Sequence, residues 1–106
     1  MTNATIDELA AAHRDGAPVV DVREPREYVD GHVPGAVLMP MWQVPSRVKE
    51  LDRSRTVYVI CATGNRSNTM ADFMRRAGLD ARSVDGGTTA WVQSGRPVVV
   101  GARAVA

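Results

Sequence analysis

The stretch 57–78, VYVICATGNRSNTMADFMRRAG, constrains this chain more than any other. An apolar, β-branched run ends at Ile60, the only cysteine follows as Cys61, and six small or polar residues come next. Apolar residues then recur three and four positions apart until Gly78, a residue type that commonly ends helices. The stretch therefore predicts a buried strand, a tight loop and a helix with one buried face.

A cysteine in such a loop has two interpretations. A helix N-terminus carries unpaired N–H groups and a partial positive charge, and both stabilise a thiolate, the nucleophilic form of cysteine. Gly64 allows the positive φ that lets several N–H groups converge, and Arg66 adds a permanent positive charge. The alternative is an inert cysteine at the end of a core strand, because free cysteines are commonly buried. Arg66 likewise either binds an anionic substrate and lowers the Cys61 pKa, or pairs with a nearby acid.

Strand and helix patterns alternate along the rest of the chain. Thr5 and Glu8 have the spacing of a helix capping box. The alternation predicts an α/β fold with a parallel sheet and helices on both faces, in which ligands bind beyond the carboxyl ends of strands. The predicted strands are 19–22, 36–39, 56–60 and 81–84, and the predicted helices are 5–14, one starting within 23–28, 43–51, one ending before Gly78, and 88–94.

Composition indicates one ordinary globular domain. The 106 residues are 44% apolar and 24% charged, with a formal net charge of +1 and scattered basic residues, which argues against a nucleic-acid partner. No apolar run is long enough for a membrane span, and the first residues lack the pattern of a signal peptide. A lone cysteine forms no internal disulfide and suits a reducing compartment. We therefore expect a cytoplasmic protein without nucleic-acid or membrane partners.

Four further features receive structural interpretations. His13 is expected at the surface near a helix C-terminus, because a single histidine without a partner carries little functional signal. Trp42 and Trp91 are expected to be core or pocket-wall aromatics. The tail 97–106 is an edge strand, a packed extension or a partner contact, and the sequence does not choose among the three.

Three stretches together resemble the rhodanese domain family. They are DVREPREYVDGHVPGAVLMP at 21–40, CATGNRS at 61–67 and DGGTTAW at 85–91, with the order and separations of that family. The resemblance covers about residues 4–96 and leaves 97–106 as a C-terminal extension. It implies a single rhodanese-like α/β domain whose sheet has about five parallel strands, acting as a thiosulfate sulfurtransferase.

The resemblance implies that Cys61 is the catalytic nucleophile. It would take the outer sulfur of a donor such as thiosulfate, release sulfite, and hold a persulfide until cyanide or a thiol accepts the sulfur. No metal or organic cofactor is needed. Ser67 is expected to be a helix N-cap or a loop brace, and Thr63 and Asn65 are expected at the pocket mouth. The implied substrate-binding residues are Ala62, Thr63, Gly64, Asn65, Arg66 and Ser67.

The residues of the other two stretches are expected to be scaffold. Asp21 is interpreted as satisfying loop amides rather than performing acid–base chemistry. Arg23, Glu27 and His32 are the right types for a buried polar network that holds the loops. The glycines at 35, 86 and 87 are interpreted as backbone necessities.

Two other functions are weighed against this one. Relatives of the fold that act on phosphate or arsenate have a loop with five residues between Cys and Arg, whereas Cys61 and Arg66 have four between them and no acid beside the cysteine. The second alternative is a persulfide carrier that receives sulfur from a desulfurase and delivers it to a protein partner. Its chemistry at Cys61 would be the same, and only the acceptor would differ.

Overall fold

A parallel sheet of five strands forms the centre of the molecule. The computed structural model describes residues 3–105. The strands lie in the order β1-β5-β4-β2-β3 and every neighbouring pair is parallel, which confirms the predicted α/β fold. β1 pairs with β5 at one edge and was not predicted from the sequence. The strands are β1 (Asn3–Ala4), β2 (Val19–Asp21), β3 (Val37–Leu38), β4 (Thr56–Ile60) and β5 (Asp80–Val84).

Within residues 3–105, four α-helices connect successive strands and a fifth follows β5, and one predicted helix is interrupted. Instead of a continuous helix over 43–51, a short α-helix is flanked by two 3-10 helices, Met41–Gln43 and Val48–Glu50. Pro45 has no amide to donate, so the α-helix begins beside it and does not extend back toward Met41. None of the helices within 3–105 is long and apolar enough to span a bilayer. The helices are α1 (Ile6–Arg14), α2 (Pro25–Asp30), α3 (Val44–Arg47), α4 (Asn65–Arg76) and α5 (Gly87–Gln93).

The sheet is covered on both faces by separate apolar clusters. Side chains alternate along β4, so Val57 and Val59 pack with α3 and α4 while Ile60 packs with α1, α2 and α5. The residue after β4 continues this alternation, and Cys61 therefore belongs to the cluster on the α4 side. The core thus decides on which face of the sheet the cysteine side chain lies.

The first helix is capped as predicted, but its histidine has partners. The Thr5 side chain accepts a hydrogen bond from the Glu8 amide (3.1 Å), and the Glu8 carboxylate accepts one from the Thr5 amide (2.8 Å). His13 is half-buried, its Nε2 lies 2.6 Å from the carbonyl oxygen of Pro34, and its ring meets Trp91 edge to face. The expectation of a surface histidine without a partner was wrong, because both contacts come from distant parts of the chain.

The two tryptophans have opposite environments. Trp91 is buried, and its indole N–H donates to the carbonyl of Pro97 (2.8 Å), as expected for a core aromatic. Trp42 is 68% exposed, so of the two roles expected for it, core or pocket-wall aromatic, the core position was wrong. The neighbouring core positions are filled by Met39, Met41 and Val44, which leave Trp42 on the outside of its 3-10 turn.

The tail packs against the loop before β3. The amide of Val99 donates to the carbonyl of His32 (2.9 Å) and the amide of His32 donates to Val99 (3.0 Å), which forms an isolated antiparallel bridge. The amide of Gly35 donates to the carbonyl of Ala104 (2.8 Å). Of the three alternatives, the packed extension describes these contacts. The boundary between 4–96 and 97–106 stays a prediction, and Ala106 lies outside the described residues.

Candidate active site

Cys61 lies where β4 ends, at the carboxyl edge of the sheet. The loop after it leads directly into α4, which begins at Asn65. Gly64 is the N-cap of that helix and has φ +119°, a conformation that side-chain-bearing residues rarely adopt. The predicted arrangement of strand, tight loop and helix is therefore present, with Gly64 supplying the turn.

Hydrogen bonds converge on the cysteine sulfur. The amide of Gly64 donates to Cys61 Sγ (3.1 Å), and Ser67 Oγ lies 3.4 Å from the same sulfur. Burial raises the pKa of Cys61, but hydrogen bonds from the Ser67 side chain and from the amides of Ser67, Gly64 and Thr63 outweigh it and lower the pKa overall. The loop therefore favours the thiolate, although the residue is only 1% exposed.

Ser67 braces the loop from inside the protein. Its fully buried hydroxyl donates to the carbonyl of Gly64 (3.1 Å) and lies 2.7 Å from Ser83 Oγ on β5. The helix N-cap is Gly64, so the N-cap alternative for Ser67 was wrong and the loop brace was right. Ser83 was missed in the sequence, where its only signal is a small polar residue within the predicted strand 81–84.

Arg66 is paired with an acid. Its Nη1 and Nη2 lie 2.8 and 2.9 Å from the two carboxylate oxygens of Glu27 on α2. The hydrogen bond from Arg66 lowers the pKa of Glu27 to about 2. Two roles were considered for Arg66, anion binding and pairing with a nearby acid, and this contact is the second. About a third of the Arg66 side chain is exposed, so an anion in solvent can still reach it.

The remaining loop residues differ in exposure. Thr63 and Asn65 are exposed and Ala62 is half-buried. Their predicted roles in binding donor or acceptor stay predictions.

Helix α5, which follows the neighbouring strand β5, holds the loop after Cys61 in place. The amide of Thr88 donates to the carbonyl of Cys61 (2.8 Å), and the amide of Thr89 donates to that of Ala62 (3.0 Å). Gly87 has φ +58°, and a Cβ there would lie 2.5 Å from both carbonyl oxygens. Its interpretation as a backbone necessity is confirmed, whereas the two threonines were not predicted as site residues.

A polar network lies beneath the site, on the loop after β2. The buried carboxylate of Asp21 accepts hydrogen bonds from the Arg23 amide (3.1 Å) and from its guanidinium (2.7 Å). Arg23 also donates to the carbonyl of Gly31 (2.9 Å), and His32 Nδ1 lies 2.8 Å from the carbonyl of Tyr28. These residues hold the loops as expected, but Glu27 belongs to the Arg66 pair rather than to this network.

Known proteins share this fold. Residues 5–94 match the rhodanese-like domain family. The chain belongs to that family. The crystal structure of a rhodanese-related protein from Thermoplasma volcanium aligns with this rhodanese-like domain at a TM-score of 0.88 and 32% identity, over 94% of this chain and 99% of that one.

Curated relatives of this rhodanese-like domain have names that refer to sulfur. A sulfurtransferase of Allochromatium vinosum is 33% identical over 82 residues, which are 76% of this chain and 77% of that protein. The thiosulfate sulfurtransferase of Pseudomonas syringae is 31% identical over 86 residues, 80% of this chain and 81% of its own length. A Bacillus subtilis protein named as a candidate sulfur carrier is 40% identical over 61 residues, 58% of this chain but 33% of that protein.

Proposed function

We propose that this rhodanese-like domain is a sulfurtransferase that carries sulfane sulfur on Cys61. The observation that supports the proposal most directly is the thiol environment, in which the Gly64 amide and the Ser67 hydroxyl lie 3.1 and 3.4 Å from the sulfur. The Gly64 amide already donates to this sulfur, so it needs no reorganisation when negative charge moves onto the sulfur. Relatives named as sulfurtransferases support the same conclusion.

The proposed reaction has two steps. The Cys61 thiolate attacks the outer sulfur of thiosulfate, a bond forms between the two sulfurs, and the donor's own sulfur–sulfur bond breaks with its electron pair leaving on sulfite. The persulfide then passes its outer sulfur to cyanide or to a thiol, and the electron pair of the broken bond returns to Sγ as thiolate. Two half-reactions joined by a covalent intermediate predict ping-pong kinetics.

The loop divides into proposed roles. Arg66 attracts the anionic donor because its guanidinium is partly exposed and permanently charged. The amides around Gly64 and Ser67 stabilise the thiolate and the persulfide. Ala62, Thr63 and Asn65 meet the donor or acceptor at the mouth. The proposed partners are a small-molecule sulfur donor and a thiol or cyanide acceptor, in the cytoplasm.

Loop length favours sulfur over phosphate as the transferred group. Four residues separate Cys61 from Arg66, one fewer than in relatives of the fold that act on phosphate. A shorter loop encloses a smaller centre, which suits one sulfur atom better than a tetrahedral oxyanion. Hydrolysis of an aryl phosphate that is abolished in Cys61→Ser would reverse this preference.

Intact-mass measurement tests the proposal. The purified protein is treated with thiosulfate and then with cyanide, beside Cys61→Ala as the matched control. A gain of one sulfur atom that is absent in the variant and removed by cyanide is the expected result. An intact, alkylatable thiol that gains no sulfur from thiosulfate or from glutathione persulfide would overturn the proposal.

A second candidate is a persulfide carrier that delivers sulfur to a protein. The similarity to the candidate sulfur carrier of Bacillus subtilis favours it, although the chain spans only a third of that protein's length. Steady turnover with thiosulfate and a simple thiol supports the enzyme. Loading of Cys61 with little turnover, together with a stable complex with an acceptor protein, supports the carrier.

A further inference from the structure

Ser83 places a hydroxyl on an otherwise apolar face of the sheet. Side chains alternate along β5, so Ser83 lies on the same face as Ala81, which packs in the cluster on the α4 side. Ser83 is fully buried and is paired in register with Val59 of β4, two residues before Cys61. A buried hydroxyl costs free energy unless it is hydrogen-bonded, so a serine here needs a partner. That partner is Ser67, whose Oγ lies 2.7 Å from the Ser83 Oγ.

The Ser67 hydroxyl has more neighbours than protons. Its Oγ lies 3.1 Å from the carbonyl oxygen of Gly64 and 3.4 Å from Cys61 Sγ, in addition to its contact with Ser83. A serine hydroxyl has one proton to donate and two lone pairs with which to accept. The Gly64 carbonyl can only accept, so Ser67 donates to it when Cys61 is a thiol. The two lone pairs of Ser67 then accept from the thiol and from Ser83.

Deprotonation of Cys61 changes one of these hydrogen bonds. A thiolate can only accept, so Ser67 stabilises it by turning its proton from the Gly64 carbonyl to Sγ. That carbonyl is not left unpaired, because the amide of Asn68 also donates to it (3.1 Å). The Ser67 proton can therefore follow the negative charge onto the sulfur without leaving a buried acceptor unsatisfied.

The direction of the hydrogen bond between the two serines decides whether this exchange is possible. If Ser67 donated to Ser83, the sulfur would lose its hydroxyl donor, and the Ser83 proton would have no acceptor within residues 3–105. If Ser83 donates, both protons are used, and the donated hydrogen bond polarises the Ser67 hydroxyl into a stronger donor. We propose that Ser83 is a positioning residue for Cys61, which donates to Ser67 in both forms of the site and so directs the Ser67 proton to the thiolate.

The same two hydroxyls would act in the second half of the sulfur-transfer reaction. When an acceptor takes the outer sulfur of the persulfide, the sulfur–sulfur bond breaks and its electron pair returns to Cys61 Sγ. Ser67, polarised by Ser83, donates a hydrogen bond to that charge as it forms. This consequence for turnover rests on the proposed function, whereas the effect on the thiolate can be measured without sulfur transfer.

Alkylation of Cys61 by iodoacetamide, followed against pH, tests the role of Ser83. In Ser83→Ala the pH midpoint should rise, and the rate at pH values below the midpoint should fall about threefold, as for the loss of one modest hydrogen bond. The plateau rate at high pH should stay the same, because the thiolate is as accessible as before. In a Ser67→Ala background, Ser83→Ala should have no further effect, because Ser83 acts through Ser67.

A second pair of variants separates the hydroxyl from the volume of the side chain. Ser83→Thr and Ser83→Val introduce side chains of nearly the same shape that differ in the hydroxyl, and the midpoint should be higher in Ser83→Val. Ser94→Ala is the control. It removes a hydroxyl that donates to the carbonyl of Trp91 (2.6 Å), a residue of the cluster on the opposite face of the sheet, and should leave the midpoint unchanged.

Three results would overturn the role of Ser83. They are an unchanged midpoint in Ser83→Ala, equal midpoints in Ser83→Thr and Ser83→Val, and a further rise when Ser83→Ala is added to Ser67→Ala. A lower plateau without a shifted midpoint would count as the first, because it would mean that Ser83 only packs beneath the loop.

Intact mass after thiosulfate treatment distinguishes this failure from failure of the proposed function. If Cys61 gains sulfur but the midpoint does not move in Ser83→Ala, the role of Ser83 alone is wrong. If Cys61 gains no sulfur but the midpoint moves as expected, sulfur transfer is wrong and the hydrogen bond from Ser83 to Ser67 still tunes the thiolate.

Discussion

Glu27 and Arg66 form a two-point ion pair that joins α2 to the first turn of α4, with nitrogen–oxygen distances of 2.8 and 2.9 Å. A guanidinium presents its donors as a planar fork, and here one carboxylate occupies two of them. Any anion that approaches Arg66 therefore competes with Glu27. The pair joins the loop to α2 and also reduces the positive charge that Arg66 presents to such an anion.

Glu27→Gln should strengthen thiosulfate binding. Removing the carboxylate charge leaves Arg66 without this partner, so the KM for thiosulfate should fall by roughly twofold to fivefold, which is the range expected for a partly exposed ion pair. Steady-state kinetics with saturating cyanide measures the change. Glu24→Gln is the control, because Glu24 lies at the start of the same helix and its backbone amide, which the substitution keeps, donates to Glu27. A rise in KM would show that Glu27 serves to orient the arginine.

Acid sensitivity should follow the same carboxylate. The pKa of Glu27 is about 2, lowered from 4.5 by the hydrogen bond from Arg66. A lowered folded-state pKa stabilises the protein above the unfolded value, and this contribution is lost as the pH falls from about 4.5 toward 2. Glu27→Gln should lower the free energy of unfolding by about 1 kcal/mol at neutral pH and show a smaller loss in that window. Urea unfolding at pH 7 and at pH 3 provides the comparison, and parallel pH profiles would contradict it.

Ser67→Ala should make the Cys61 thiol less acidic. The substitution removes a hydrogen bond that lowers the pKa of Cys61, and it releases Gly64 and Ser83 from their contacts with the hydroxyl. The pH midpoint of Cys61 alkylation should rise, and the rate of persulfide formation at neutral pH should fall about tenfold. Iodoacetamide kinetics against pH measures the first effect. Ser46→Ala, which removes an exposed hydroxyl elsewhere, should change neither quantity.

Two glycine substitutions separate backbone strain from lack of space. Gly87 and Gly95 have φ of +58° and +80°, but only at Gly87 would a Cβ meet other atoms, the carbonyl oxygens of Cys61 and Ala62 at 2.5 Å. Gly95→Ala should cost about 1 kcal/mol of stability and leave sulfur transfer intact. Gly87→Ala should cost about 3 kcal/mol and displace the loop, with a corresponding loss of activity. Similar effects of the two variants would show that α5 does not hold the loop.

Removal of the tail after Arg96 should lower the stability of the protein and have little effect on the loading of Cys61 with sulfur. The truncation deletes the carbonyl partner of the Trp91 indole and the bridge between Val99 and His32. It also exposes part of a buried histidine, so the melting temperature should fall by about 5–10 °C, the shift typical of 1–2 kcal/mol in a small domain. Calorimetry gives the shift, and thiosulfate loading of Cys61 at low temperature checks that the site survives. An unchanged melting temperature would mean that the tail contacts contribute nothing.

Local sequence patterns predicted the elements that carry the site. The apolar run before Cys61 and the helical spacing after it are patterns formed by residues that are close together in the chain. Gly64 is a residue type that readily adopts the positive φ that the loop requires. The same reasoning found the capping box of Thr5 and Glu8 and the carboxylate role of Asp21. In each case, the physical cause lies within a few residues of the feature.

Features that depend on distant parts of the chain were not predictable in this way. Glu27 and Arg66 are 39 residues apart, and Ser83 meets Ser67 only because β5 lies beside β4. β1 has two residues, too few for any periodicity. Trp42 is exposed because neighbouring side chains already fill the core, a matter of volume that the identity of the residue does not reveal.

The lengths of the two edge strands affect how readily copies of the molecule associate with one another. β1 and β3, which form the two edges of the sheet, have two residues each. An exposed strand edge offers unpaired N–H and C=O groups to any other extended chain, and a short edge offers few. The longer strands β4 and β5 lie inside the sheet, where each has a neighbouring strand on both sides. The strand order therefore limits edge-to-edge association of folded molecules through their sheets.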